Sequence, residues 1–492
     1  MKNGIVIYEK FYQILKNKIE CGLIPKGSRL PSRAALCREF ATSEKTVRRV
    51  VEMLAADGYV ETSQRRRPTV IFERTAETYG RGILPLQKAD ATAANDILKT
   101  GILVCYPVIS SGISRCTEAD WEIPEAILEK MDPSQPAGFW RLSNRFWRFF
   151  AARNENDLIL RAVDGLGFAD LDPLPGTYAI RCAYCAKIKE FLQTVKRGGA
   201  PESVHFDDLS ALYGFVSSQA EGRLSFRVAA DSPMRSGTKT LYQRISKAEE
   251  RYSRVYLDIL GLIAIGRYQP GDRLPSHAQL RENYGVSIDS TVKAIHLLQK
   301  WGVVTAIRGK GIFVAMESRE LSRIRIDPAL IACHIRRYLD SLELLSLTIE
   351  GVAAHAAVHI TPEEAKALGE KLEKVWNEDY LYQLSPIILL EFIVEHIQYD
   401  ALKAIYTVVQ DHYHIGRSIP KLLSHEKNQY NLKIHQECRT IAGCWEEGEV
   451  YLSAKKATDM YQYIQRLIAA ECKRLGYWEN AMQVYDGTFL WK

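Results

Sequence analysis

Long apolar runs are scarce in this chain. The most apolar stretch, 259–265, is short and bounded by Asp258 and Arg267, well below the roughly 18–20 residues that a membrane-spanning helix needs. No membrane partner is expected. Met1-Lys2-Asn3-Gly4 leads into a charged helix rather than an apolar signal segment, so a cytoplasmic location is the expectation. Cysteine patterning is thin as well. Ten cysteines are scattered along the chain and only Cys182 and Cys185 stand close together. A lone C-x-x-C points to helix packing rather than to zinc or redox chemistry, and free thiols are the default in a reducing compartment. Catalytic motifs are missing: there is no G-x-S-x-G, P-loop, G-x-G-x-x-G or H-E-x-x-H, which argues against an enzyme and against a cofactor.

Excess charge is also modest, +6 over 492 residues, but it is unevenly placed. Residues 1–75 hold 15 Lys and Arg against 8 Asp and Glu, leaving the rest of the chain close to neutral. A basic block confined to one end is the electrostatic footprint of a nucleic-acid module. Several domains are expected from the length, and the chain repeats itself. Gly27-Ser28-Arg29-Leu30-Pro31-Ser32 recurs as Gly271-Asp272-Arg273-Leu274-Pro275-Ser276, 244 positions on. The same offset pairs Gly22 with Gly266, Leu36 with Leu280, Ser43 with Ser287, Leu54 with Leu298 and Gly58 with Gly302. It persists weakly further on, carrying 117–120 onto 361–364 and 146–160 onto 390–404. The chain reads as an ancient tandem duplication.

In the first copy, Phe11, Ile14, Leu15 and Ile19 recur near helical spacing, and Gly22 and Pro25 end that helix. Ser32 stands where an N-cap is wanted for a second helix through Phe40, and Ser43 does so for a third. Val47, Val50, Val51 and Leu54 form the third helix's buried stripe, leaving Lys45, Thr46, Arg48, Arg49 and Glu52 on the other face. Such a helix fits the major groove, where its early residues reach base edges and phosphates. After Gly58, 59–62 and 69–72 read as two strands of a hairpin with Arg65, Arg66 and Arg67 at its tip, suited to phosphate or minor-groove contact.

The second copy, 252–316, has a helix near 252–265, one from His277 to Tyr284, and a third whose candidate contacts are Ser290, Thr291 and Lys293. Val292 replaces Arg48 there. Its wing is Arg308-Gly309-Lys310-Gly311, in which glycines let the tip approach a groove closely. The first module is expected to read sequence more strongly, and the second to add affinity through wing and backbone.

Gly22, Gly27, Arg29, Leu30, Pro31, Ser32, Leu36, Ser43, Thr46, Val47, Arg48, Leu54 and Gly58 make the first module resemble the GntR family of bacterial regulators. The resemblance implies a winged helix-turn-helix with Thr46 and Arg48 at the DNA surface, and Arg29 and Ser32 close to the backbone. Arg33 joins the candidate contacts, as do Arg273 and Ser276 in the second copy. Glu44 stands where the family often has Arg, and an Arg-rich wing tip replaces a Gly-rich one. The run 342–354 with 361–364, and Phe146–Asn156, resemble the FadR-type (FCD-like) helical ligand domain of such regulators. That resemblance implies a six- or seven-helix bundle with a cavity for a small acid. Its metal-ligand positions fall on Ser143 and Trp147 in one half, and on Ile387, Glu391, His435 and a site near Met460 or Tyr461 in the other. No complete ligand set results, so no metal is expected. His412 and His414 read as core or surface residues, and the aromatic group Trp140, Trp147, Phe149 and Phe150 as core packing or a pocket lining.

The expectation is a mainly α protein: a winged helix-turn-helix at 1–75, a helical effector- or dimerisation-like domain at 76–238, a second winged helix-turn-helix at 239–318 and a second helical domain at 319–492. Its partner would be double-stranded DNA. Two readings of its control stay open, by a small-molecule effector or without one, and two of its assembly, a monomeric pseudo-dimer or a homodimer.

Overall fold

The computed structural model describes residues 11–12, 15, 19, 24, 26–39, 43–63, 66–72, 91–166, 178–199, 215–220, 223–228, 241–264, 266–324, 326–378, 382–416 and 427–491. The chain divides into two compact units, residues 1–87 with 130–143, and residues 88–129 with 144–492.

The first unit holds helices α1 (Arg33–Glu39) and α2 (Glu44–Ala56) and the antiparallel strands β1 (Val60–Glu61) and β2 (Thr69–Val70). Phe11, Tyr12, Leu15 and Ile19 are helical and buried, while Ile14, Gly22, Pro25 and Phe40 lie outside the described residues. These four side chains pack with Leu30, Leu36, Val47, Val50, Leu54, Val60 and Val70 into one core. The stripe Val47, Val50, Val51 and Leu54 is the buried face of α2, as its 3–4-residue spacing requires.

The second unit opens with α3 (Ala91–Ser114), α4 (Glu122–Glu129), the helix α5 (Pro136–Ala152) that reaches it from residue 144, α6 (Asp157–Gly165) and α7 (Tyr178–Lys196). A strand pair follows, β3 (Phe215–Ala220) and β4 (Arg223–Val228), with Phe215 opposite Val228. It lies within 76–238, the region expected to be a helical domain, and the chain remains mainly α. The second winged module comprises α8 (Leu241–Ile245), α9 (Ala248–Ala264), α10 (His277–Tyr284), α11 (Ile288–Lys300), β5 (Val304–Ile307) and β6 (Gly311–Val314). Then come α12 (Pro328–Ala357), α13 (Pro362–Asn377), α14 (Ser385–Glu395), α15 (Asp400–Gly416), α16 (Gln429–Glu446), α17 (Val450–Arg474) and α18 (Trp478–Met482).

The 244-residue register is written into the backbone. Val60 pairs with Val70 as Val304 pairs with Val314. Gly27 N donates to Val70 O at 2.7 Å, and Gly271 N to Val314 O at 2.8 Å. Leu30 N donates to Pro68 O, and Leu274 N to Ile312 O, both at 2.8 Å. The register reaches the helical halves too. Thr117 and Asp120 form a capping box, and so do Thr361 and Glu364. In both halves a short break follows the next helix, before α6 and before α15.

The helices of the two halves pack on one another: α12 lies against α17, α15 and α3. Asn156 Nδ2 donates to Asp340 O at 2.9 Å and to Glu343 Oε2 at 2.8 Å. The window Asp96–Ser114 of α3 is, by length and composition, apolar enough to cross a membrane, which corrects the expectation that nothing approaches that length. Half of that window is buried within the fold, as for a core helix.

Two carboxylates set the join. Ala401 N donates to Asp96 Oδ2 at 2.9 Å, so Asp96 caps α15 from a different helix. Burial pushes its carboxyl up to about 6 against the backbone hydrogen bonds of Ala401 and Asp400. A carboxyl raised in the folded state holds more protons there than in the unfolded chain, so stability falls as pH rises from about 4 to 6. Asp96→Asn keeps the acceptor and removes the buried charge. It is expected to raise the melting temperature at pH 8 by a few degrees, on the order of 1–2 kcal/mol after discounting for solvent, and to flatten the melting profile across that window. A lower melting temperature at pH 8 would show that the charged form is the favourable one.

The second carboxylate is Glu250, near the start of α9. Arg161 of α6 grips it with two bonds, Nη1 to Oε2 at 3.0 Å and Nη2 to Oε1 at 2.9 Å. Lys247 N donates to it at 2.7 Å, His412 Nε2 of α15 lies 3.4 Å away and Arg337 Nε of α12 lies 3.9 Å away. Burial pushes the Glu250 carboxyl up, but Arg161, His412 and Arg337 outweigh it and hold it well below the usual glutamate range. The first helix of the second module is thereby tied to both helical halves.

Candidate nucleic-acid interface

In the first module Ser32 Oγ accepts from Ala35 N at 3.2 Å and caps α1. Ser43 Oγ accepts from Thr46 N at 3.2 Å and lies 2.9 Å from Thr46 Oγ1, capping α2. These serines orient the helices through their starts, as N-caps do. Lys45, Arg48 and Arg49 are exposed on the face of α2 opposite its buried stripe, with Thr46 half-buried at its edge. Arg33 lies 3.9 Å from Glu44, both well exposed. That pairing bridges the starts of α1 and α2, where the family pattern would put two cations. Arg29 forms a bridge to Thr69 and so runs beside the wing. Arg66 and Arg67 are exposed at the wing tip, while Arg65 lies outside the described residues.

In the second module Ser276 and Gln279 form a capping box on α10, and Ser287 Oγ accepts from Ser290 N at 3.2 Å to cap α11. Arg308, Gly309 and Lys310 form the exposed turn between β5 and β6. Gly309 and Gly311 have φ of 77° and 123°, a region that glycine enters without steric cost. A Cβ on Gly311 would come within 2.8 Å of Arg273 Nε. The glycine is thus what lets Arg273 lie across the wing base, bringing together residues 38 positions apart.

Two expected contacts are corrected. Thr291 is fully buried, with Oγ1 donating to Ile288 O at 2.7 Å and 3.0 Å from His277 Nδ1. Ser290 is 9% exposed, its hydroxyl 2.9 Å from that of Ser287. Both face inward because the repeat puts Thr291 on the core position of Val47 and Ser290 on the capping partner Thr46. Lys293 does stand exposed. The residues that share its surface, Ile288, Asp289, Val292 and His296, were not named as contacts from the sequence, although the register from Glu44, Lys45, Arg48 and Glu52 marks each of them.

In the helical part, Phe149 and Phe150 are buried and Trp147 half-buried. Phe150 and Trp147 both pack on Phe146, and Trp147 Nε1 donates to Tyr184 Oη at 2.7 Å. This is core packing. Trp140 is buried as well. His435 Nδ1 lies 3.0 Å from Ser385 Oγ and its ring stacks on Trp376. His412 is buried and His414 Nε2 lies 3.2 Å from Glu391. Cys182 and Cys185 are free thiols on α7, and burial pushes the Cys185 thiol up, which keeps it from acting as a thiolate.

Among the described residues, two helices closed by a two-stranded wing, with buried helical residues ahead of them, occur in both copies and define the class: a protein with tandem winged helix-turn-helix domains. Residues 7–71 and 251–314 both match the family model of bacterial regulatory proteins, gntR family. Each of these two regions is thus similar to the DNA-binding domain of that family. The chain is 38% identical over 61 residues to the uncharacterized HTH-type transcriptional regulator YdeL of Bacillus subtilis (strain 168), 12% of this chain and 13% of YdeL. Over 64 residues it is 38% identical to the HTH-type transcriptional regulator TreR of the same organism, 13% of this chain and 27% of TreR. The matches thus span about an eighth and a quarter of the length of these curated relatives. Among solved structures, Streptococcus agalactiae GntR matches at 18% identity and a TM-score of 0.20, over 44% of this chain and 99% of that one.

Proposed function

We propose that this protein is a sequence-specific, double-stranded-DNA-binding transcription regulator of the GntR type, acting as a single-chain pseudo-dimer under the control of a small-molecule effector. The observation that carries the first part is the exposed face of α2, where Lys45, Arg48 and Arg49 stand on a capped helix beside a wing bearing Arg66 and Arg67. The duplication supports the second part, since one chain supplies the two modules that a two-fold site needs. Size measured on the DNA complex tests it: one chain per short operator is expected, whereas two chains would make the protein a homodimer.

Control by an effector needs a physical link between the helical part and a DNA module, together with different affinities for two arrangements of that link. The grip of Arg161, Arg337 and His412 on Glu250 is such a link. Thermal-shift measurement against a metabolite panel checks it, with stabilisation by at least one compound expected. No stabilisation by any compound would favour a regulator that works without an effector.

DNA binding itself is read from its salt dependence. Each phosphate contact contributes about −0.9 to the slope of log K against log salt. Replacing Arg65, Arg66 and Arg67 together by Ala is expected to flatten that slope by up to about three contacts' worth. An unchanged slope would mean that this wing does not touch the duplex.

A further inference from the structure

The two recognition helices present different chemistry. At the five exposed positions where α2 carries Glu44, Lys45, Arg48, Arg49 and Glu52, α11 carries Ile288, Asp289, Val292, Lys293 and His296. Ile288 is 46% exposed and Val292 47%. They sit one helical turn apart on one face. The core of the module does not use them: α11 buries Thr291, Ala294, Ile295 and Leu298 on its other side. Covering these two β-branched aliphatic side chains with an apolar group in a complex would be favourable.

Their surroundings narrow down that group. Lys293 adjoins Val292, and Arg273, Arg308 and Lys310 are exposed on the turn and wing of the same module, so the polyanion-facing character of the surface is kept. A protein-docking face is usually a contiguous apolar patch of several hundred Å², whereas here two half-exposed side chains are flanked by Asp289, Lys293 and His296. On the edges of the bases in a major groove, the apolar group is the 5-methyl of thymine. Ile288 and Val292 lie about 6 Å apart along the helix axis, close to two base-pair rises of about 3.4 Å each.

Resting on the DNA-binding reading above, we infer that Ile288 and Val292 are specificity-determining residues that contact thymine methyls in the major groove. The second module is then selective for A·T pairs, and the first depends on charged and hydrogen-bonding contacts from Arg48 and its neighbours. The operator has chemically unequal halves, although the two modules share one fold.

The test uses the whole chain and an operator selected by it from random duplexes. Footprinting of the chain and of an Arg48→Ala variant assigns the two halves. Thymines in the second module's half are then replaced one at a time by deoxyuridine, which pairs identically and lacks only the methyl. One or two replacements are expected to weaken binding about four-fold each, the worth of one buried methylene-sized group. The Ile288→Ala/Val292→Ala variant, altered only at exposed positions, is expected to bind the thymine operator more weakly and to be indifferent to deoxyuridine. That second arm separates contact from any change in duplex stiffness, which would persist in the variant. Three results would overturn the inference: deoxyuridine without effect in that half, a methyl effect that survives in the double variant, or unchanged affinity of the double variant, which would assign the face to something other than DNA. Failure of the chain to bind any duplex would instead overturn the regulator reading itself.

Discussion

Glu250→Leu is expected to lower the melting transition of the larger unit by on the order of 10 °C. Glu250 is 4% exposed and Arg161 9%, and the substitution leaves the guanidinium buried without its carboxylate. Breaking a buried ion pair from one side costs about 3–5 kcal/mol, and each kcal/mol shifts the transition of a large domain by roughly 2–4 °C. Arg161 also donates to Ile245 O and to Asp157 Oδ2 at 3.0 Å, so part of its charge stays compensated and the lower end of that range applies. Adding Arg161→Met to Glu250→Leu is expected to recover much of the loss, because replacing both members of a buried pair by apolar groups of similar size is often neutral. Differential scanning calorimetry of wild type, the two single variants and the double variant gives the coupling directly. If the losses simply add, Glu250 and Arg161 do not form an energetic unit.

The same network has a pH signature. Glu250 is held well below the ordinary glutamate range, with its cationic neighbours outweighing burial. Its contribution is fully present above the unfolded pKa and disappears as pH falls through the lower, folded value. Acidification should therefore narrow the gap in melting temperature between wild type and Glu250→Leu. This dependence is opposite in sign to that of Asp96, whose raised carboxyl costs stability as pH rises.

How much of this was legible in the sequence varies with the range of the interaction. Local signals carried the winged modules well. Ser43, the stripe Val47–Leu54 and Gly58 specify a capped helix and its end, and α10 spans His277 to Tyr284 as its pattern required. The repeat carried further than residue chemistry did. Thr291 looked like a polar contact residue, yet it occupies the buried position of Val47 and satisfies its hydroxyl within the fold. Reading the register before the residue type would have put Thr291 inside and Ile288 and Val292 outside. The strand pair in the region expected to be helical also had a local sign, since Leu224, Phe226 and Val228 alternate with Arg223, Ser225 and Arg227 with a period of two. The α3 window was hidden because Lys99 and Thr100 interrupt its apolar run, although burial against other helices tolerates them. Ties such as Arg161 to Glu250, separated by 89 positions, leave no local pattern, because charged residues of either sign are common on helices and only the folded path brings a given pair together.

Arg48→Ala is expected to weaken operator binding by about 5- to 150-fold while leaving the melting temperature of the protein unchanged. Arg48 is exposed one turn into α2, opposite its buried stripe, and substitutions at such positions usually change stability by less than about 0.5 kcal/mol. The loss of affinity follows from the contact. A bidentate arginine on guanine O6 and N7 is worth about 1–3 kcal/mol of discrimination against another base. The binding profile distinguishes two ways in which the loss arises. If Arg48 reads a base, the variant loses preference at one operator position and keeps its salt slope. If it grips a phosphate, binding weakens evenly across sequences and the slope falls by about 0.9. The register supplies a control, because Val292 occupies the equivalent position in the second module and is uncharged. Val292→Ala should leave the salt slope untouched whichever way Arg48 acts. Unchanged affinity and unchanged preference in Arg48→Ala would mean that the exposed face of α2 is not the surface that meets DNA.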